Sequence, residues 1–323
     1  MSLRTRPRAS GTVLLVSLLA GSSAAQNAAA DKSVLDRGAD LARMVRADLA
    51  KAGALDLKGA AGLLVADGDS WFDYPGTHVL DALRRSYDYQ VESVAHRGDR
   101  LEELAYNVDQ VASFTLTLNK LKRSSKQPRA ILVSAGGNDI AGEALLALLN
   151  HRMAGEKQPL NENVVTGLLD EQARSSMIFL LGRMTAASQQ EFGGAPIPIL
   201  IHGYSTPVPD GRGYKWLGIQ FKGPWLEPWF VLKGYQDDGS DGNALRQRRD
   251  IMGDLIRRFN RILAGLPTVP GLEHVRYVNV AETLSAETQG AAYRKDWNDE
   301  LHPTRSGFES VAAEFHRVLR ELR

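Results

Sequence analysis

The sequence contains no cysteine, which excludes disulfides, thiolate nucleophiles and cysteine-ligated metals together. Aromatic residues are sparse at 7%, and no low-complexity run interrupts the chain. With 43% hydrophobic and 24% charged residues, the composition is that of a globular domain held by packing alone. Neither a phosphate loop ending in Gly-Lys-Ser/Thr nor a Gly-x-Gly-x-x-Gly strand-to-helix turn occurs, so nucleotide binding is unsupported. No His-x-x-x-His pair stands among the seven histidines, so no zinc site is expected, and no other metal or cofactor either.

Long apolar runs are also missing. Val13 to Ala20 is apolar, but it is too short to cross a bilayer of about 30 Å comfortably. It follows Arg4, Arg6 and Arg8 and precedes the small residues Gly21 to Ala25, the pattern of a secretory signal peptide over residues 1–25. The expectation is a secreted or periplasmic protein with no integral membrane span after cleavage. Loss of residues 1–25 takes the formal charge from +1 to −2. No clustered basic face then marks a nucleic-acid partner.

Residues 26–58 form a second segment, in which Val34, Leu35, Leu41, Val45 and Leu49 recur at near-helical spacing; a helix lying on the domain is expected from about Lys32 to Lys51. Residues 59–323 read as one α/β domain. Short apolar runs at Gly62–Ala66, Tyr89–Val94, Ala130–Ser134, Ile197–His202 and Val275–Val280 predict five strands. Helical stretches predicted at Val79–Ser86, Arg100–Lys122, Ala141–Asn150, Asn163–Gln189, Ala244–Ala264 and Ser306–Leu322 separate or follow them. Such alternation implies a five-stranded parallel sheet in a three-layer α/β/α sandwich of flavodoxin-like order, with ligands bound beyond the carboxyl ends of the strands.

The polar clusters follow those ends: Asp67-Gly68-Asp69-Ser70, His96-Arg97-Gly98-Asp99 and Gly136-Gly137-Asn138-Asp139. Ser70, directly after a strand, is placed to expose its hydroxyl, although a serine there, taken alone, is more commonly a helix cap. Asp299 and His302 stand three apart in a polar loop before the last helix. On a turn, that spacing lets the carboxylate reach one imidazole nitrogen and leaves the other free to face a nucleophile.

Gly68-Asp69-Ser70, Gly98, Asn138 and Asp299-x-x-His302, in this order, resemble the blocks of the SGNH or GDSL-like hydrolases. The resemblance runs from Gly62 to about Phe308 and departs at Trp71, where the family has leucine. It implies an esterase acting without a metal, with Ser70 as nucleophile, His302 as base, Asp299 orienting the ring, and Ser70, Gly98 and Asn138 forming the oxyanion hole. The partner expected is a small-molecule or glycan ester.

An aromatic-rich insertion at 204–243 holds three of the five tryptophans and is expected either to wall the cleft or to cover the core. Trp71, Asp139, Tyr204, Trp216 and Trp225 are candidate substrate contacts. Two other readings compete: a magnesium-dependent phosphatase of haloacid-dehalogenase type using Asp67 and Asp69, and a non-catalytic glycan-binding module built on the insertion.

Overall fold

The computed structural model describes residues 27–42, 61–155, 158–236 and 243–322. The signal-peptide expectation for residues 1–25 lies outside them. In chain order the main elements are helix α1 (27–42), strand β1 (Leu63–Gly68), α2 (Val79–Tyr87), β2 (Gln90–Ser93), α3 (Leu101–Tyr106), α4 (Val108–Arg123), β3 (Ala130–Ser134) and α5 (Glu143–Leu148). There follow α6 (Glu162–Val165), α7 (Arg174–Phe192), β4 (Ile199–His202), β5 (Tyr214–Trp216), β6 (Ile219–Lys222), α8 (Glu227–Leu232), α9 (Asn243–Gly265), β7 (Val275–Val278) and α10 (Arg305–Glu321).

Five strands pair in the order β2-β1-β3-β4-β7, every neighbour parallel. The three central strands are buried along their whole length, whereas the edge strands β2 and β7 each expose part of theirs. Helices on both faces account for this: a strand covered twice carries a continuous apolar run, and an edge strand does not. Right-handed crossovers to β2 on one side of β1 and to β3 on the other place their helices on opposite faces. Accordingly α2 packs with α10 in one layer, and α3 and α4 pack with α7 in the other.

Two helices differ from the sequence expectation. Arg100–Lys122 is broken at Asn107, whose side chain accepts the Asp109 and Gln110 N–H groups and starts α4 afresh. Between α6 and α7 the chain continues through a π-helical segment, Thr166–Ala173, giving one long rod from Glu162 to Phe192.

The described part of the N-terminal segment lies on α7. A Cβ at Gly38 would stand 2.4 Å from the Phe179 carbonyl, and Asp31 pairs with Arg174 at 2.6 Å. In the insertion, β5 and β6 form an antiparallel hairpin.

Candidate active site

The turn carrying Ser70 is built by Asp69. Its carbonyl accepts the Phe72 and Asp73 N–H groups at 3.0 and 3.1 Å, and its Oδ1 accepts Trp71 N–H at 2.9 Å, so the chain curls back at once after β1. Gly68 is required by close approach, because a Cβ there would lie 2.5 Å from the Ser134 carbonyl of β3.

Below the turn, Ser134 Oγ bridges Asp69 Oδ1 at 2.6 Å and His202 Nε2 at 2.8 Å, and His202 Nδ1 reaches the Gly203 carbonyl. Tyr204 Oη donates to Asp69 Oδ2 at 2.8 Å. Ser134 donates to Asp69 Oδ1, and Trp71 N–H and Tyr204 Oη donate to the same carboxyl. Burial raises the Asp69 carboxyl against these donors and lowers His202 to about 4. Asp69 is therefore a structural group, fixing the Ser70 turn to β3 and β4.

Across from it, the loop before α10 folds on its own hydrogen bonds. Asp299 Oδ1 accepts the N–H groups of Leu301 and His302 at 2.9 and 2.8 Å and lies 2.9 Å from His302 Nδ1. The other imidazole nitrogen, His302 Nε2, lies 2.8 Å from Ser70 Oγ. Asp299 is fully buried. Burial would raise its carboxyl, but the His302 imidazole and the N–H and O–H donors outweigh that and hold it below the ordinary range.

Tyr74 was not singled out by sequence, yet its Oη donates to Asp299 Oδ2 at 2.8 Å and its ring stacks on His302 with centroids 4.2 Å apart. Its only sequence signal is its place four residues after Ser70.

Gly98 and Asn138 reach the same cleft from the ends of β2 and β3. Among the described residues nothing accepts the N–H groups of Ser70 or Gly98. Asn138 Nδ2 donates one proton to the Asp99 carbonyl at 2.9 Å, which fixes the amide and leaves its second N–H.

The remaining candidates separate. Trp225 lines the cleft and meets the His302 ring edge-on at 5.3 Å between centroids. Trp71 and Tyr204 are buried beneath Ser70, Trp71 donating from Nε1 to the Leu301 carbonyl at 3.1 Å. Asp139 borders neither cavity at Ser70; its Oδ2 accepts Leu101 N–H at 2.9 Å, and burial raises its carboxyl to about 6. Trp216 ends β5, and its side chain lies outside the described residues.

The insertion does both of the things expected of it. Tyr214, Phe221 and Trp225 wall the cleft, while Phe230 and Tyr235 are buried in the core. What ties it down is Glu300, a residue the sequence reading passed over. This fully buried carboxylate accepts four backbone N–H groups of the insertion: Gly211 and Glu227 on Oε1 at 3.0 Å each, Trp225 and Leu226 on Oε2 at 2.6 and 2.8 Å. Arg212 returns the contact, donating from Nη1 to the Trp297 and Asn298 carbonyls at 2.9 and 3.0 Å. The one sequence hint to Glu300 is its place between Asp299 and His302.

The phosphatase reading fails on geometry. Asp67 and Asp69 are both buried; Asp67 Oδ1 accepts Gln110 Nε2 at 2.6 Å and Oδ2 faces Arg183 Nη2 at 3.8 Å, so neither carboxylate can approach phosphorus in the cleft. Burial raises Asp67 to about 6 and lowers Arg183 to about 10, each opposed by the other's charge.

A parallel α/β sheet with serine, histidine and aspartate linked in line at its carboxyl edge is the arrangement that activates a hydroxyl for acyl transfer. No protein-family model matches the sequence, and no curated protein matches it. Among solved structures, the chain is similar to a GDSL-like lipase from Bacteroides thetaiotaomicron, at 12% identity over 88% of this chain and 98% of that one, TM-score 0.42. It is also similar to a single-residue variant of an acetyl xylan esterase from Geobacillus stearothermophilus, at 14% identity over 81% and 95%, TM-score 0.38. A third is an α/β hydrolase enzyme from the metagenome of Lake Arreo, at 16% over 82% and 98%, TM-score 0.38. The site's own geometry carries the functional reading.

Proposed function

We propose that the protein is an exported serine esterase of the SGNH type, hydrolysing carboxylic esters through an acyl-enzyme on Ser70. The observation that carries this is the unbroken line Asp299–His302–Ser70, with 2.9 and 2.8 Å between successive partners. Asp299 holds the Nδ1 proton, so Nε2 is the basic nitrogen and faces the hydroxyl it must deprotonate.

In this reading Ser70 Oγ attacks the ester carbonyl as its proton passes to His302 Nε2. The oxyanion takes the N–H groups of Ser70 and Gly98 and the free N–H of Asn138, where a lost donor costs about a hundred- to a thousandfold in rate. His302 returns the proton to the departing alcohol. Water then attacks the acyl carbon, giving a proton to His302, and the carboxylic acid leaves as the serine hydroxyl is restored. Tyr74 supports the ring from behind and holds the second Asp299 oxygen.

The experiment is active-site labelling with a fluorophosphonate. The protein recovered outside the cytoplasm is expected to begin at Gln26 and to take one label, which Ser70→Ala abolishes together with hydrolysis of p-nitrophenyl acetate. Folded protein that stays unlabelled, or equal labelling of Ser70→Ala, refutes the assignment; a retained residue 1–25 segment refutes export with cleavage.

A further inference from the structure

Two cavities of very different size meet at Ser70. One is an open cleft of about 640 Å³ lined by Ser70, Asn138 and His302 and walled by the rings of Tyr74, Tyr214 and Trp225. The other is a small cavity of about 40 Å³, also lined by Ser70 and Asn138, and otherwise largely by apolar side chains including Trp71, Tyr204, Met252 and Ile256. His302 lines the first and not the second.

That difference assigns the two halves of an ester. At the tetrahedral stage one carbon bears Ser70 Oγ, the oxyanion, the acyl substituent and the alkoxide. The carbon–alkoxide bond breaks only as the alkoxide receives a proton, and the group that carries it is His302 Nε2. The alcohol must therefore lie in the cleft that His302 lines. The acyl substituent is then assigned to the small cavity, which Ser70 and Asn138 border and His302 does not.

Its size then limits the acid. At 40 Å³ against 640 Å³ for the cleft, the cavity has room for a short substituent only. Trp71, Tyr204, Met252 and Ile256 are all buried, so a longer chain can enter only by displacing packed core side chains. The cleft sets no comparable limit on the alcohol and offers it flat aromatic faces.

We propose that the enzyme removes two- or three-carbon acyl groups, acetyl above all, from large ring-bearing alcohols. The proposal rests on the serine-esterase reading above. It sets Tyr204, Met252 and Ile256 as the residues that measure the acyl chain, and Tyr74, Tyr214 and Trp225 as those that receive the alcohol.

The test uses the whole mature protein and p-nitrophenyl esters of two, three, four, six and eight acyl carbons, the nitrophenyl ring filling the cleft in each. The expected kcat/KM is highest at two or three carbons and lower by about 10- to 100-fold at six. With acetyl held constant, benzyl acetate is expected to be cleaved at least about tenfold faster than ethyl acetate, since only the former buries a ring. Met252→Ala is expected to move the optimum to four or more carbons; where that variant does not fold, Ile256→Val makes the smaller enlargement. A wild-type profile that stays level or climbs from two to eight carbons overturns the proposal, as does equal cleavage of the two acetates. The outcomes separate cleanly: a level profile on protein that still labels at Ser70 removes the size assignment alone, whereas folded protein that does not label removes the esterase reading and the assignment with it.

Discussion

The carboxylate of Glu300 is the strongest single tie between the insertion and the loop that carries His302, and removing it makes a quantitative prediction. Glu300→Ala deletes the acceptor of four backbone N–H groups at once. A buried donor left without a partner costs about 1–3 kcal/mol. Leu226 is fully buried and bears that cost in full, while Gly211, Trp225 and Glu227 are partly exposed and can turn toward water. The sum is about 3–5 kcal/mol, reduced to the extent that the insertion opens locally instead of unfolding the domain.

Glu300→Gln keeps one oxygen for about half of these donors and presents an NH₂ to the rest, so it falls between wild type and alanine. Asp299 and His302 are held by their own turn and by Tyr74, not by Glu300. Loss of the cleft wall should therefore raise KM several-fold while kcat changes less. Urea unfolding, limited proteolysis within 204–236 and steady-state kinetics on p-nitrophenyl acetate read the three effects. If Glu300→Ala unfolds within about 0.5 kcal/mol of wild type and resists protease equally, the four-donor account is wrong.

Two further perturbations test the surroundings of the Asp299–His302–Ser70 line. Tyr74→Phe keeps the ring stacked on His302 and removes only the hydroxyl that donates to Asp299, a loss of about 1–2 kcal/mol, expected as a roughly five- to thirtyfold drop in kcat/KM with little change in acyl preference; unchanged kinetics would show that the bond is idle. Burial lowers His202 from 6.5 to about 4, so between those values the unfolded chain binds a proton there that the folded chain does not. This contribution to stability is complete above about 6.5, is lost as pH falls through that window, and amounts to roughly 3 kcal/mol. Urea midpoints measured at pH 7 and pH 4.5 should fall less for His202→Gln than for wild type, and parallel falls would count against the assignment.

What the sequence determined by itself follows from interactions that are local or periodic. β1, β3 and β4 are legible because a strand buried on both faces can hold little but apolar residues. The Asp299–His302 contact is legible because one turn closes it. The break at Asn107 and the π segment at Thr166–Ala173 are not, since apolar spacing runs through both almost unchanged and the deciding hydrogen bonds leave no mark in it.

Only the tertiary structure brings His302 to a serine 232 positions away, sets Tyr74 behind it, and gathers donors from Gly211 and Trp225–Glu227 around Glu300. It also sets the two cavities, whose sizes depend on how side chains from separate helices and loops meet. Backbone preference and hydrophobic period act over a few residues and can be read in order. A hydrogen bond or a cavity wall between distant segments depends on packing the whole sheet first, and a single sequence carries no pairwise trace of it.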